Sequence, residues 1–354
     1  MTSSLPPLAA VPLVIGLMGA PLSGTTAPVP PLRTDPASLV DIVGHTAVDN
    51  GAEQRRVLGY WTPERMAKAL PAELLGGVGR AVRGLAAAGR GPAAIRHTGA
   101  ATDPEPAPAP APAPATVPVS QSRAPAASTA GSRWTAGGSV TRTTGRVFLT
   151  LGGVDFVCSA STVRSANKDV VVTAGHCVKD GKGAWADNWT FVPGYQAGRR
   201  PHGTFTARRM FVAGPWSRDG DDSYDVGMVA LNTSGGKHVT EVVGAQEIAF
   251  NGARGGAVYG FGYPADRPYD GQNLVYCAGR LASDPHRQTR DQGLRCDMTA
   301  GSSGGPWLSG FDAQSGRGTI TSVSSFKYSD DQKTMYGPYF GESAKQLFTT
   351  AERA

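Results

Sequence analysis

The stretch RVFLTLGGVDFVCSASTVRSANKDVVVTAGHCV, residues 146–178, decides the fold class. It contains three short runs rich in β-branched and aromatic residues, separated by a Gly-Gly pair and by the polar segment 165–169. Short apolar runs bounded by Gly, Asn and Asp are typical of antiparallel strands. The stretch therefore predicts three consecutive β-strands.

The same pattern continues through the following 170 or so residues. Further runs are DVGMVALN, GAVYGFG, NLVYCAGR and RGTITSVSSF, whereas ESAKQLFTTAER near the C-terminus has the pattern of a helix. Many short strands without alternating helices predict an all-β sandwich or barrel. We expect one folded domain at 133–354, with a C-terminal helix and enough residues for a sizeable core.

The N-terminal third has a different composition, since 19 of the 27 prolines lie in residues 1–130. Residues 5–22 are apolar and small residues follow, which predicts a signal peptide over 1–28; an uncleaved anchor is the alternative. We expect a propeptide over 29–100, with helical periodicity at 62–90, and an extended Ala/Pro-rich linker over 101–132. This pro-region is expected to be largely disordered or helical.

Charge and hydropathy argue against nucleic-acid binding and against a polytopic membrane protein. Charged residues make up 18% of the chain and the net charge is +6, without a clustered Lys/Arg stripe. After residue 30 the sequence lacks an apolar run of 18 residues, so a polytopic membrane protein is excluded. We expect no nucleic-acid partner, no stable membrane association and a monomer.

Four cysteines, at 158, 177, 277 and 296, indicate the redox compartment in which the protein folds. They form no Cys-x-x-Cys pair, so neither a zinc ribbon nor a thioredoxin-like site is predicted, and we expect no metal and no cofactor. Three disulfide connectivities are possible; we expect the local pairs Cys158–Cys177 and Cys277–Cys296. Disulfides form in oxidising compartments, which predicts a secreted, extracellular protein.

Three polar clusters interrupt the β pattern, and each is a weak signal by itself. His176 follows the run VVVTAG, Asp225 precedes VGMVAL, and Ser303 lies in CDMTAGSSGGPW. A lone histidine beside a cysteine is usually structural, an aspartate at a strand start is common, and Gly-Ser clusters are frequent in linkers. The run DGDDSYD lacks the ligand spacing of a calcium loop.

Together the three clusters indicate nucleophilic catalysis. A serine needs a base to become a nucleophile, and a histidine base needs an acid that fixes its tautomer. The N–H groups of Gly301 and Ser303 would converge on a developing oxyanion. A Gly-x-Ser-x-Gly pattern is present at 301–305, but an α/β-hydrolase esterase requires its acid and histidine after the serine, so that interpretation fails.

These segments resemble the chymotrypsin/trypsin-like serine peptidases, through TAGHC, DVG and GSSGGP. The closer resemblance, over about residues 133–345, is to secreted actinobacterial trypsin-like and V8-like enzymes, through TTGRVFLTLGGVDFVCSAS, NWTFVPGY and CDMTAGSSGGPW. It implies a double six-stranded antiparallel β-barrel. It also implies a secreted serine endopeptidase, made as a precursor and processed between Ala100 and Trp134, that acts on proteins or peptides.

The resemblance also assigns roles. Ser303 would attack the carbonyl, His176 would move the proton, and Asp225 would hold the imidazole. Asp297, Thr299 and Ser324 are candidates for the substrate pocket, with a slight preference for basic side chains through Asp297; Asp297 as a structural residue is the alternative. The residue before the nucleophile is Ser302 rather than an aspartate, so activation by an inserted N-terminus is not expected, and Ile42-Val43-Gly44 is interpreted as a coincidence. A secreted protease-like binding protein without activity is the competing hypothesis.

Overall fold

Two halves rich in β-strands make up most of the fold, in a computed structural model that describes residues 40–72, 94–95 and 128–354. The strands of the first half and the segment before it are β1 (Ile42–Thr46), β2 (Leu70–Pro71), β3 (Ala94–Ile95), β4 (Ser128–Arg133), β5 (Thr144–Leu151), β6 (Val154–Thr162), β7 (Val170–Thr173), β8 (Asp187–Pro193), β9 (Phe205–Ala213) and β10 (Gly227–Leu231). Those of the second half are β11 (Glu247–Ile248), β12 (Ala257–Gly262), β13 (Val275–Arg280), β14 (Ala282–Ser283), β15 (Gln292–Arg295), β16 (Pro306–Asp312), β17 (Arg317–Val323), β18 (Phe326–Tyr328) and β19 (Asp331–Gly337). The helices are α1 (Gly51–Tyr60), α2 (Pro63–Lys68), α3 (Val140–Thr143), α4 (Gly214–Asp219), α5 (Val239–Val243) and α6 (Glu342–Ala351).

The first half is a closed barrel. Its strands follow the order β9-β10-β7-β6-β5-β8, and a further pairing of β8 with β9 closes the ring of six. The three runs quoted at the start are β5, β6 and β7, whose neighbours pair antiparallel. Every residue of β5 is buried, because one face lines the barrel and the other is covered by neighbouring elements.

The second half consists of two sheets, in the orders β11-β17-β16-β12-β13-β4 and β14-β15-β19-β18-β3. Trp307 and Leu294 are buried in the core that these sheets enclose. Helix α6 follows the last strand. The all-β class and the C-terminal helix are thus confirmed, with a closed six-stranded ring in the first half and two sheets in the second.

The two halves each contain one disulfide. Cys158–Cys177 joins β6 to the turn after β7, with 6.2 Å between the Cα atoms. Cys277–Cys296 joins β13 to the residue after β15, with 5.6 Å between the Cα atoms. Each bridge closes a loop of modest length and stabilises the fold mainly by restricting the unfolded chain.

Residues 40–72 are more ordered than the sequence analysis expected of a pro-region. Strand β1 extends the barrel sheet by pairing antiparallel with β9, from Ile42 opposite Ala213 to Thr46 opposite Arg209. Asn50 caps α1 and Thr62 caps α2, since each side-chain oxygen accepts a backbone N–H three residues on. Of the helix expected at 62–90, α2 ends at Lys68, and Leu70–Pro71 is instead strand β2, which pairs with β6. Residues 73–93 lie outside the described residues.

Trp61 anchors this segment on the barrel. Its indole is 1% exposed and donates from Nε1 to the carbonyl of Asn188 at 2.6 Å. The ring contacts Phe148 of β5 at a centroid distance of 5.5 Å. Asp41 adds an ion pair with Arg218 on α4. Residues 40–72 are therefore part of the folded unit that includes the barrel.

The structure tests the expected domain boundaries only in part. The expected signal peptide (1–28) and most of the expected linker (101–132) lie outside the described residues. Strand β4 begins at Ser128, inside the range 101–132 expected to be linker, and pairs with β13. Among the described residues, no helix is long and apolar enough to cross a membrane.

We expect Trp61→Ala to lower the free energy of unfolding by about 3 kcal/mol, because a buried indole is replaced by a cavity. Urea unfolding of the full chain, followed by tryptophan fluorescence and circular dichroism, measures it. Leu70→Ala is the control in the same segment, since Leu70 is 45% exposed. Equal midpoints for the two variants would show that residues 40–72 do not unfold together with the barrel.

Candidate active site

His176 lies in a short 3₁₀ turn, Gly175–Cys177, directly after β7. The disulfide to Cys158 ties this turn to β6. Gly175 is required by space, because a Cβ atom there would meet the carboxylate of Asp225 and the indole of Trp216. The imidazole is 5% exposed. The covalent bridge beside His176 thus holds the backbone of this turn against β6.

Asp225 is fully buried and accepts hydrogen bonds from both sides of the site. Its Oδ1 accepts the backbone N–H of His176 at 2.7 Å, and its Oδ2 lies 2.8 Å from His176 Nδ1. Ser325 Oγ also donates to Oδ2. Because a carboxylate only accepts, Nδ1 donates to Asp225, and in the neutral imidazole Nε2 is then the nitrogen that can accept a proton. Nε2 has no hydrogen-bond partner among the described residues.

The turn at 301–305 that carries Ser303 is held against β6 by Ser159. The backbone N–H of Ser159 donates to Ser303 O at 2.8 Å, and its hydroxyl donates to Gly301 O at 2.9 Å. Gly304 has φ +79°, and a Cβ there would collide with Thr173 Oγ1 and the carbonyl of Ser159. The Gly-rich composition of the turn follows from this close approach to the barrel.

The structure brings His176, Asp225 and Ser303 together between the two halves. The Sγ of Cys177 lies 3.7 Å from the carbonyl oxygen of Ser303, so the serine turn packs on the histidine turn. Ser325 contacts both partners, since its hydroxyl binds Asp225 and its carbonyl oxygen lies 3.4 Å from Ser303 Oγ. This arrangement has the parts needed for transfer of a proton from a serine to an imidazole.

Sequence reasoning missed two positioning residues, Ser159 and Ser325. Both are buried serines, at 0% and 1% exposure. The sequence signal for Ser159 is its place beside a half-cystine, and for Ser325 its place at the end of an apolar strand. Neither signal identifies a partner that lies more than 90 residues away along the chain.

The proposed pocket residues each have an intramolecular partner. Asp297 Oδ1 accepts from Gly131 N at 2.7 Å and from the Tyr269 hydroxyl at 2.6 Å. Thr299 donates to Asp266 O at 2.7 Å. The hydroxyl of Ser324, which is fully buried, accepts from the Trp307 indole at 3.0 Å. These contacts support a structural role for all three residues. The preference for substrates with basic side chains stays a prediction.

Asp297 also holds β4 in the sheet of the second half, and it raises the pKa of the neighbouring Tyr269. Its contact with Gly131 lies on β4, and its backbone N–H donates to Thr129 O at 2.9 Å. Burial raises the pKa of Tyr269 well above its ordinary range, and the hydrogen bond to Asp297 raises it further. Asp297 therefore attaches β4, the edge strand of this sheet, to the rest of the second half.

Lys327 is a buried lysine on β18, two residues after Ser325. Its ammonium donates to the carbonyl of Gln332 at 2.5 Å, and the side chain is 0% exposed. Burial lowers the pKa of Lys327 from its ordinary value of 10.5 to about 8, although the charges of Asp297 and Asp331 oppose this. Folding therefore disfavours the protonated form of Lys327, which is buried close to the candidate site.

One group of potential metal ligands lies at the site. The ligand atoms of Cys158, His176 and Cys177 are within 4.8 Å of one another. Both sulfurs are joined in the disulfide, so they have no thiolate to offer. A metal centre built on this group does not fit the chemistry of the residues present.

Comparison with known proteins gives consistent similarities. The family model of the trypsin-like peptidase domain matches residues 158–314. The crystal structure of protease Anisep from Arthrobacter nicotinovorans is 40% identical, with a TM-score of 0.58, and the match covers 60% of this chain and 96% of that one. A thermostable serine protease AL20 from an extremophilic microorganism is likewise 40% identical at TM-score 0.58, over 61% and 99% of the two chains.

Curated relatives match over shorter stretches. The extracellular metalloprotease of Bacillus subtilis strain 168 is 37% identical over 73 residues, 21% of this chain and 23% of that protein. The glutamyl endopeptidase of Bacillus licheniformis is 30% identical over 94 residues, 26% of this chain and 29% of that protein. The chain thus spans less than a third of the length of either curated relative.

We expect Lys327 to make stability depend on alkaline pH. Above pH 10.5 the amine is neutral in both the folded and the unfolded state, and below pH 8 it is protonated in both. Between these values the unfolded chain binds more protons, so the free energy of unfolding rises with pH. The rise amounts to about 3 kcal/mol for this single group.

Urea unfolding at pH 7.5, 9 and 10.5, for the full chain and for Lys327→Met, measures this contribution. The variant removes the titrating amine and keeps an unbranched apolar chain, so its stability should gain less than the parent's across the interval. Lys333→Met, at an exposed position, is the control. Parallel pH curves for the parent and Lys327→Met would contradict the assignment.

Proposed function

We propose that this chain, which belongs to the trypsin-like serine peptidase family, is a secreted serine endopeptidase that works through His176, Asp225 and Ser303. The single observation that carries the proposal is the buried Asp225 carboxylate, bonded to the backbone and ring of His176 beside the Ser303 turn. It supports a base with a fixed tautomer next to a serine. The competing hypothesis, a binding protein without activity, does not require these contacts.

The proposed reaction passes through an acyl-enzyme. Ser303 Oγ attacks the carbonyl carbon of the peptide bond while His176 Nε2 accepts its proton. The imidazolium then donates this proton to the leaving amine, and a water molecule repeats the sequence to release the acid. Asp225 stays ionised throughout and stabilises the imidazolium.

The oxyanion of the tetrahedral intermediate needs hydrogen-bond donors beside the nucleophile. We assign them to the backbone N–H groups of Gly301 and Ser303, on the basis of the turn that Ser159 fixes from two sides. Loss of one such donor typically costs about 3 kcal/mol in the transition state. The rigid turn supplies these donors without reorganisation during the reaction.

Export and precursor processing are part of the same proposal. Both pairs of cysteines form disulfides, which suits an oxidising compartment. The range expected to be processed, Ala100 to Trp134, contains two arginines as candidate cleavage points: Arg133 lies on β4 opposite Val275, and Arg123 lies outside the described residues. Cleavage after Arg133 would remove the strand that Asp297 holds, so processing before Ser128 fits the contacts better.

A fluorophosphonate probe tests the nucleophile. We expect intact-mass spectrometry of the secreted protein to show one adduct on the parent, none on Ser303→Ala, and one on Ser302→Ala, the neighbouring serine in the same turn. Hydrolysis of casein should follow the same pattern. A correctly disulfide-bonded parent that gains no adduct would favour the binding-protein hypothesis.

Ser325→Ala tests the positioning of Asp225. We expect kcat/KM to fall roughly tenfold, because one charge-assisted hydrogen bond to the carboxylate is lost while the triad remains. Asp225→Asn should cost about 10⁴-fold, because the wrong imidazole tautomer is then stabilised. Initial rates on one peptide substrate give both values; rescue by Ser325→Thr would separate hydrogen bonding from packing. An unchanged rate for Ser325→Ala would contradict the positioning part.

A further inference from the structure

Arg146 is a buried arginine on β5 that is only 3% exposed. Successive side chains of a strand point to opposite faces. Val147 and Leu149 pack in the core inside the barrel, so Arg146 lies with Phe148 on the opposite face, toward the second half. Arginines are almost never buried to this degree unless their charge is paired. The fold therefore encloses a charge that needs a compensating group.

The guanidinium of Arg146 has donors that the fold does not satisfy. A guanidinium offers five N–H groups and has no acceptor. The Nε and Nη1 atoms of Arg146 are buried and have no hydrogen-bond partner among the described residues. Burial lowers the pKa of Arg146 from its ordinary value, yet a guanidinium stays protonated in proteins. These N–H groups are therefore positively charged donors without an acceptor.

Two aromatic rings and a glycine surround the guanidinium. Its Cζ lies 5.2 Å from the ring centroid of Phe148 and 5.1 Å from that of Tyr195. Ring faces attract a cation, but they carry no negative charge that would balance it. Gly271, in the loop between β12 and β13, has φ +70°, and a Cβ atom there would lie 2.8 Å from Nη2 of Arg146. The glycine thus leaves space beside the guanidinium that any other residue would fill.

The polar groups near Arg146 do not balance its charge. Tyr195, Tyr263 and Asp270 all favour the charged form of the guanidinium, although burial outweighs them in its pKa. Burial raises the pKa of Tyr263, so its hydroxyl is neutral, and the Tyr195 hydroxyl donates to Gln272 Oε1 at 3.2 Å. Asp270 is exposed, and its Oδ1 accepts the backbone N–H of Gln272 at 2.9 Å. A solvated carboxylate of this kind compensates a buried cation only weakly.

We propose that Arg146 forms a buried binding site for a small monovalent anion, such as chloride or acetate. The anion accepts hydrogen bonds from guanidinium N–H groups that lack an acceptor among the described residues, in the space beside Gly271. One negative charge balances the single positive charge of the site, whereas a divalent anion would bring a second, unpaired charge into the interior. The inference goes beyond the proposed function and does not depend on peptidase activity.

The proposed anion site lies close to the serine turn at 301–305. Arg146 pairs with Ser159 of β6. The Ser159 hydroxyl donates to Gly301 O and accepts the backbone N–H of Tyr263, each at 2.9 Å. An anion between Arg146 and the loop that joins β12 to β13 therefore connects β5 to the second half beside these contacts, and it stabilises the folded chain.

Thermal unfolding tests the site, in full-length chains that all carry Ser303→Ala to prevent self-cleavage. Sodium chloride replaces sodium gluconate at constant ionic strength, because gluconate has the same charge as chloride but is too large for an enclosed site. Arg146→Met removes the charge and keeps an unbranched side chain. Arg142→Met, at an exposed position of α3, is the matched control. Asp270→Asn removes the neighbouring carboxylate.

We expect the Tm of the reference chain and of Arg142→Met to rise with chloride and to saturate, because an anion that binds only the folded chain stabilises it. Arg146→Met should show no such rise. In gluconate alone it should melt at or above the reference chain, because a buried, unpaired cation has been removed. Arg146→Lys keeps the charge but not the donor geometry, so half-saturation should need at least tenfold more chloride.

Equal chloride dependence of the reference chain and Arg146→Met, or no dependence in the reference chain, would overturn the inference. A response confined to Asp270→Asn would also overturn it, since the Asp270 carboxylate would then supply the counter-charge. If Arg146→Met does not fold, Arg146→Lys decides instead, and a half-saturation equal to that of the reference chain would contradict the site.

Discussion

The buried carboxylate of Asp225 is the constraint on which the site depends. It precedes a strand of the closed barrel, accepts two hydrogen bonds from His176 of the same half, and accepts a third from Ser325 of the other half. A carboxylate that is fully buried is tolerated only when its lone pairs are satisfied. Satisfying this one therefore aligns the imidazole and fixes the second half against the barrel at the same time.

Ser159 and the Cys158–Cys177 bridge provide the matching restraint on Ser303. One residue of β6 bonds covalently to the histidine turn, and its neighbour bonds through backbone and side chain to the serine turn. The two turns are thus attached to adjacent positions on one strand. A rigid strand between His176 and Ser303 keeps their relative position independent of the loops around them.

The sequence allowed the class of fold and the candidates for the site to be predicted, because both depend on local patterns. Short apolar runs rich in β-branched residues identify strands, and a histidine, an aspartate and a glycine-flanked serine stand out beside such runs. The partners of these residues could not be read in this way. Ser325 reaches Asp225 across 100 residues, and Asp297 binds Gly131 and Tyr269, so each choice depends on how distant elements meet.

Residues 40–72 show a different limit. Asn50 and Thr62 are helix-capping residues that the sequence displays, yet the short helices they start have little apolar periodicity of their own. These helices are ordered by packing of Val57, Trp61 and Met66 against the barrel rather than by propensity. The high proline count of residues 1–130 was therefore a poor guide to order over 40–72, a range that contains only Pro63 and Pro71.

The two strands that pair at β18 are synthesised at different times, because Ala94–Ile95 comes long before β18 in the chain. The ribosome makes Ile95 about 200 residues before Ser303, an interval of about 10 to 40 s at ordinary rates of synthesis. Strand β18 itself is completed only after the serine. Strand β3 is therefore synthesised before the strand with which it pairs, so a newly made chain already contains Ala94–Ile95 at every stage at which β18 exists.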